Sequence, residues 1–221
     1  MIPLRDINPT QRTPVVTWTL IALITAVWLY QLATDVSVIE AWGMIPLKIT
    51  DGTSPLEYSR LGTSMFIHAS WLHLVGNLWF LHVFGDNVED ALGRGPFLVF
   101  YLAGGLAATA THVAIDPSSS TPMVGASGAI AAVLGAYLAL YPRARVVALV
   151  LFFFAEVPAW VFLFVWFGLQ LLDGFSSLGS PSAGGTAFFA HIGGFVAGLV
   201  MVFALRRSPE PNPELRSAPR N

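Results

Sequence analysis

The sequence has no cysteine and few charged residues. None of its 221 residues is Cys, and Asp, Glu, Lys and Arg together make up 11%. The absence of cysteine excludes disulfides and thiolate chemistry. Soluble domains carry about a quarter charged residues, whereas here 55% of the residues are hydrophobic and the mean hydropathy is +0.66. This composition indicates a membrane protein, and a net charge of −2 gives no sign of nucleic-acid binding.

A cleavable leader is not predicted either. The opening segment "MIPLRDINPTQRTP" is too polar to feed directly into the apolar region of a signal peptide. No small-residue cleavage site stands out after the first apolar run, at about 15–33. We therefore interpret this run as a retained membrane span.

Apolar runs predict an all-α, polytopic bundle of six transmembrane helices over residues 14–205. A cytoplasmic segment 1–13 precedes it, and a proline-rich, disordered cytoplasmic tail 206–221 follows. Pro158 favours a helix start near Val157, which leaves 146–155 as a mobile or re-entrant apolar segment. The predicted spans are about 14–33, 66–85, 96–115, 127–141, 157–173 and 187–205.

The basic residues predict which side of the membrane each end faces. With both termini inside, the outer segments hold only Lys48 and Arg60. This asymmetry favours cytoplasmic termini for six spans. The inner segments hold nine arginines: Arg5, Arg12, Arg94, Arg143, Arg145, Arg206, Arg207, Arg216 and Arg220.

Four polar side chains are then predicted at one depth, in the outer half of the bilayer. Ser127 begins the fourth span within "GASG", and His73 and Asn77 share a face of the second span in "HLVGN". His191 lies near the outer start of the sixth span. Polar groups at such depth usually face a bundle interior or a water-filled cavity. Each residue alone is more simply a packing or interfacial group, and their joint placement predicts a site.

The chemistry that suits this set is nucleophilic catalysis. Ser127 needs a base to remove its proton, and His191 is the obvious base at matching depth. An oxyanion could be stabilised by the Ser127 backbone N–H, the Asn77 amide and the His73 ring. No carboxylate is placed to orient His191, which predicts a dyad. Small residues predict close approach of the two helices: Gly194 and Gly198 on the sixth span, and Ser127, Ala131 and Gly135 on the fourth.

Four motifs together resemble the rhomboid family of intramembrane serine proteases. They are "HLVGN", "GDNVEDALG", "GASG" and "AHIGGFVAGL", in the family's order between about Glu57 and Leu205. The resemblance implies a six-helix fold with Ser127 as nucleophile and His191 as general base. It also implies that His73 and Asn77 help to stabilise the oxyanion, and that no metal or other cofactor is needed. The implied substrates are transmembrane or membrane-proximal segments of other proteins in the lipid bilayer.

Supporting roles follow from the same resemblance. His68 would support the site, and Glu89 would pair with a neighbouring loop, with Arg94 as a candidate partner. Arg60 would anchor the first outer loop, although Ser59 stands where relatives often have tryptophan. Gly125 and Gly128 flank Ser127, and they would let a substrate backbone approach the hydroxyl.

Three other functions compete with this interpretation. An inactive rhomboid-like protein that binds membrane segments would typically lack the serine or the histidine. A transporter or channel would have polar residues distributed across the whole thickness of the bilayer, often on inverted repeats. A metal site using His68, His73 and His191 would lack a nearby carboxylate and an HExxH motif. The apolar, prokaryote-like composition suggests a bacterial plasma membrane with the site toward the outer face.

Overall fold

The described part of the chain folds into nine α-helices, one short 3₁₀ helix and three β-strands. A computed structural model describes residues 1–34, 36–52, 54–178 and 187–206. The predicted disordered tail therefore lies outside the described residues, apart from Arg206. In chain order the helices are α1 (Val15–Ala33), α2 (Val38–Trp42), α3 (Pro46–Thr50), α4 (Pro55–Thr63), α5 (Trp71–Leu92), α6 (Arg94–Ile115), α7 (Ser127–Leu140), α8 (Ala159–Leu178) and α9 (Phe188–Leu205), with the 3₁₀ turn at Ser64–Phe66.

The long helices have the lengths and compositions of membrane spans. Four helices of the described chain, α1, α6, α8 and α9, are long and apolar enough to cross a bilayer. Helix α7 is apolar but only 14 residues long, and α5 has 22 residues that include several polar ones. The protein is thus an integral, multi-pass membrane protein that is mostly helical.

A three-stranded antiparallel sheet corrects the all-α prediction. Its strands are β1 (Ile2–Asp6), β2 (Arg145–Val150) and β3 (Phe153–Pro158), in the order β1-β2-β3. Residues 146–155, predicted to be a mobile or re-entrant segment, form most of an ordered hairpin. The β2 and β3 sequences "RVVALV" and "FFAEVP" are rich in the β-branched and aromatic residues that favour strands. Their apolar character alone does not distinguish a strand from a short helix.

The sheet is attached to the helical bundle through β1. The Tyr137 hydroxyl of α7 donates to Asp6 Oδ2 at 2.7 Å, and the Trp79 indole N–H of α5 donates to the Pro3 carbonyl. Burial raises the pKa of Asp6 above its ordinary value, against the lowering effect of the Tyr137 hydrogen bond. The N-terminal segment therefore packs on the bundle and pairs with β2.

Helix α7 is the central element of the bundle. All nine residues 129–137 are buried, and α7 packs against α9, α6 and α5. Lipid could also cover a helix that is apolar around its whole circumference, but here other helices of the protein enclose α7. This enclosure fixes the position of the α7 N-terminus, where Ser127 is the first residue.

Helices α7 and α9 approach each other closely because glycines line the contact. A Cβ on Gly194 would collide with the Gly128 carbonyl oxygen, and one on Gly198 would collide with the Ala132 carbonyl oxygen. The α7 residues opposite these glycines are thus Gly128 and Ala132, and not Ser127 and Ala131 as the sequence pattern predicted. Gly135 meets the Phe195 carbonyl in the same way. Small residues let the two backbones come this close.

We predict that Gly198→Ala destabilises the fold. The added methyl group would collide with backbone of α7, which cannot move aside as a flexible side chain would. The expected loss is about 1–3 kcal/mol of unfolding free energy, measured by denaturant titration in mixed micelles. Gly168→Ala is the matched control, because a Cβ there meets nothing within 4 Å. Equal stability of the two variants would contradict the proposed packing.

Candidate active site

Residues between α1 and α5 hold the segment before Ser127. Met44 and Met123 exchange backbone hydrogen bonds of 3.0 and 2.7 Å, and Gly125 N–H donates to the Ser64 carbonyl at 2.9 Å. These contacts fix the backbone that leads into α7. Ser127 follows as the first residue of the helix, where backbone N–H groups have no partner inside the helix.

Ser127 and His191 are in hydrogen-bond contact. Their Oγ and Nε2 atoms are 2.7 Å apart. The glycine contact between α7 and α9 brings the two residues together, because His191 is three residues before Gly194. A hydroxyl at this distance from an imidazole nitrogen has the geometry of a nucleophile and its base.

Asn77 lies beside this pair and is held by His68. Its amide nitrogen is 2.8 Å from His68 Nε2, and both side chains are buried. Gln31 of α1 fixes His68 by accepting from its backbone N–H at 3.0 Å and donating to its carbonyl at 2.9 Å. An amide has two N–H donors, so Asn77 keeps one for another acceptor. Gln31 was not predicted as part of the site, because no sequence motif or helical spacing links residues 31 and 68.

His73 approaches the backbone at Gly125. A Cβ on Gly125 would lie 2.6 Å from His73 Cε1 and Nε2, and 3.6 Å from the Asn77 amide nitrogen. Gly125 also has a φ of +122°, in the region that favours glycine. Glycine at 125 therefore has two physical reasons, its backbone conformation and the space that the His73 ring occupies. That it lets a substrate backbone approach Ser127 stays a prediction.

A cavity of about 480 Å³ lies beside the contact between Ser127 and His191. The four polar residues predicted from the sequence, Ser127, His191, His73 and Asn77, all face it. Gly125 and Gly128 line it too, as do Trp166 and Gln170 of α8. A cavity with a few convergent polar groups on apolar walls is typical of a binding or active site.

Helix α8 adds a polar contact that the sequence analysis did not anticipate. The Gln170 side-chain oxygen is 2.6 Å from His191 Nδ1. The Trp166 ring, one turn earlier, lies 6.1 Å from the His191 ring. A lone glutamine in an apolar run carries no motif, so only its polarity within a predicted span could have drawn attention to it.

Two other predicted residues lie away from the cavity. Arg60 of α4 is buried, and it pairs with Glu57 at 3.3 Å. Glu89 accepts from the backbone N–H groups of Val16 and Thr17 at 3.0 and 2.7 Å. It therefore caps the start of α1, and the predicted pairing with Arg94 is wrong. Carboxylates are favourable at helix N-termini.

The described residues contain no group of three or more His, Cys, Asp or Glu arranged to hold a metal ion. His68 and His73 lie with ring centroids 5.0 Å apart in an edge-on contact. One nitrogen of His68 is taken by Asn77. His68 is therefore a hydrogen-bond partner of Asn77, and the His73 ring packs edge-on against it.

Comparison with known proteins identifies the family of this chain. The family model described as "Rhomboid domain" matches residues 55–208. The chain belongs to the rhomboid family.

Several relatives match parts of this rhomboid chain. Rhomboid protease GluP of Bacillus subtilis is 39% identical over 89 residues, 39% of this chain and 17% of the relative. Presenilin-associated rhomboid-like protein A, mitochondrial, of Danio rerio is 36% identical over 84 residues, 37% and 22% of the two chains. RHOMBOID-like protein 12, mitochondrial, of Arabidopsis thaliana is 33% identical over 148 residues, 58% and 43% of the two chains. The match thus spans less than half of the length of each of these relatives.

We predict that Gly125→Ala distorts the site. A side chain at this φ is strained, and its Cβ would displace the His73 ring. The unfolding free energy should fall by about 1–3 kcal/mol. Gly62→Ala serves as the control, since a Cβ there meets nothing within 4 Å. Unchanged stability of Gly125→Ala, measured in mixed micelles, would contradict the assigned close approach.

Proposed function

We propose that the chain is an intramembrane serine endopeptidase. The proposal depends above all on the 2.7 Å contact between Ser127 Oγ and His191 Nε2 inside an apolar cavity. Membership of the rhomboid family supports it, as does similarity to a relative named as a rhomboid protease. The reaction would be hydrolysis of a peptide bond in or near a transmembrane segment of another protein.

The mechanism divides hydrolysis into two steps. Ser127 Oγ attacks the carbonyl carbon of the scissile bond while its proton passes to His191 Nε2. The tetrahedral intermediate collapses, the C–N bond breaks, and His191 returns the proton to the leaving amine. Water then attacks the acyl-enzyme with His191 again as base, which releases the acid product and restores the Ser127 hydroxyl.

Three groups are proposed to stabilise the oxyanion. They are the free N–H of the Asn77 amide, the His73 ring and the Ser127 backbone N–H at the start of α7. Donors already in position within a site of low dielectric stabilise developing charge more than water does. The hydrogen bond from Asn77 to His68 would hold that amide in place, which assigns His68 a supporting role.

The proposed topology has six spans, α1 and α5–α9, with both termini cytoplasmic. The distribution of arginines supports this orientation, which places the cavity toward the outer face. A glycine-rich outer loop was predicted at 174–186. Residues 174–178 continue α8, and residues 179–186 lie outside the described residues. We propose a bacterial plasma membrane as the location, and membrane proteins as substrates.

An inactive rhomboid-like protein is the second candidate. Two of the relatives are named as rhomboid-like proteins, and their names state no protease activity. Such a protein would bind transmembrane segments for trafficking or quality control. The contact between Ser127 and His191 favours the protease, because binding alone gives no reason to align a hydroxyl with an imidazole.

Ser127→Ala and His191→Ala should each abolish cleavage of a test transmembrane substrate in proteoliposomes. The first variant removes the nucleophile, and the second removes its base. Cleavage would be followed by gel electrophoresis and mass spectrometry of the products. His82→Ala is the control, because His82 is exposed and contacts Trp18 away from the cavity. Cleavage by Ser127→Ala at the wild-type rate would refute the mechanism.

Asn77→Ala should lower kcat by a factor of about 10 to 1,000, as loss of an oxyanion donor does. The variant loses a donor that acts mainly in the transition state, so KM should change much less. Steady-state kinetics on the same substrate measures both constants, and an unfolding titration tests whether the fold is retained. A change confined to KM would instead assign Asn77 to substrate binding.

A further inference from the structure

Helix α8 contacts the proposed base, His191, at the ring nitrogen that does not face Ser127. The His191 ring is bonded at both nitrogens, with Nε2 2.7 Å from Ser127 Oγ and Nδ1 2.6 Å from Gln170 Oε1. The two contacts come from different helices, α7 and α8. His191 is therefore held in a line between a hydroxyl and an amide oxygen.

These two contacts determine which ring nitrogen of His191 carries the proton. A neutral imidazole carries one N–H and one bare nitrogen. The Gln170 amide oxygen can only accept, so it favours the tautomer with the proton on Nδ1. Nε2 is then bare and can accept the Ser127 proton. In the other tautomer, the bare Nδ1 would face the lone pairs of Oε1, and Nε2–H would point at the hydroxyl that it should deprotonate.

From this geometry we infer that Gln170 is a positioning residue, which selects the tautomer of His191 that can act as a base. The inference rests on the proposed function and extends it from a dyad to a Ser127–His191–Gln170 arrangement. Gln170 acts through His191 and has no contact with a substrate in this role. An aspartate has the corresponding position in a Ser-His-Asp triad.

An amide suits this location better than a carboxylate. A charged group inside the bilayer carries a large desolvation cost unless it is paired. A neutral amide oxygen fixes the ring without that desolvation cost. The cost of a buried charge gives a physical reason for the missing carboxylate that the sequence analysis noted near His191.

Two side chains of α8 constrain the same ring. Trp166 and Gln170 are four residues apart and therefore share a face of the helix. Trp166 contacts the ring of His191 at 6.1 Å between centroids, and Gln170 bonds its nitrogen. Displacement of α8 from α9 would remove both contacts, so the position of α8 is coupled to the orientation of the base.

The tautomer can be measured without any assay of activity. We would label the histidines with ¹⁵N in the full chain and record their ring nitrogen shifts by NMR in micelles, with His191→Ala to assign the signals. In the wild type, His191 should be protonated at Nδ1 and bare at Nε2. Gln170→Leu should yield a mixture of tautomers, and Gln170→Glu should keep the proton on Nδ1. Equal tautomer populations in the wild type and Gln170→Leu would overturn the inference.

Kinetics provides the second test. Gln170→Leu keeps the size of the side chain but removes the acceptor, so kcat should fall by about 10- to 100-fold while KM changes little. Gln170→Glu restores an acceptor and should recover most of that loss. Leu172→Ala, at an exposed position of the same helix, is the control and should cleave like the wild type.

Each outcome of these tests has a distinct meaning. Equal kcat for Gln170→Leu and the wild type would overturn the inference, as would an equal fall in Gln170→Leu and Gln170→Glu, which would indicate packing. Failure of the wild type itself to cleave would count against the proposed function. The NMR result would then decide the role of Gln170 by itself.

Discussion

The close contact between α7 and α9 is the constraint on which the rest of the site depends. Glycines at 194 and 198 bring α9 against carbonyl groups of α7, and no larger residue could replace them without moving a backbone. Since Ser127 and His191 precede these contacts on their own helices, the packing also sets their separation of 2.7 Å. The surrounding elements hold α7 in position for this contact. α6 and α5 enclose α7, and the segment between α1 and α5 fixes the chain that enters it.

Sequence patterns predicted the four polar residues of the cavity and the helices that carry them. Ser127, His73, Asn77 and His191 were identifiable because polar groups are costly within apolar spans and these four were expected at one depth. Glycine spacing also predicted the helix pair in contact. The opposing residues were assigned one position early, at Ser127 and Ala131, because spacing defines a face of a helix more reliably than an individual contact.

Features without a periodic or motif signal were not predictable. The β2–β3 hairpin is as apolar as a membrane span. Its pairing with β1 joins residues 140 or more positions apart in the chain. Gln170 and Gln31 act through single side-chain contacts that only the tertiary structure defines. Glu89 was recognised as structural, but its partner is the start of α1, since backbone donors leave no trace in the sequence.

The central claim is that His191 makes the Ser127 hydroxyl a nucleophile inside the membrane domain. Labelling of the purified protein with a fluorophosphonate, followed by mass spectrometry of the modified peptide, tests it most directly. We expect modification at Ser127, with strongly reduced labelling in His191→Ala and no modification at that site in Ser127→Ala. Equal labelling of the wild type and His191→Ala, or modification only at other serines, would contradict it.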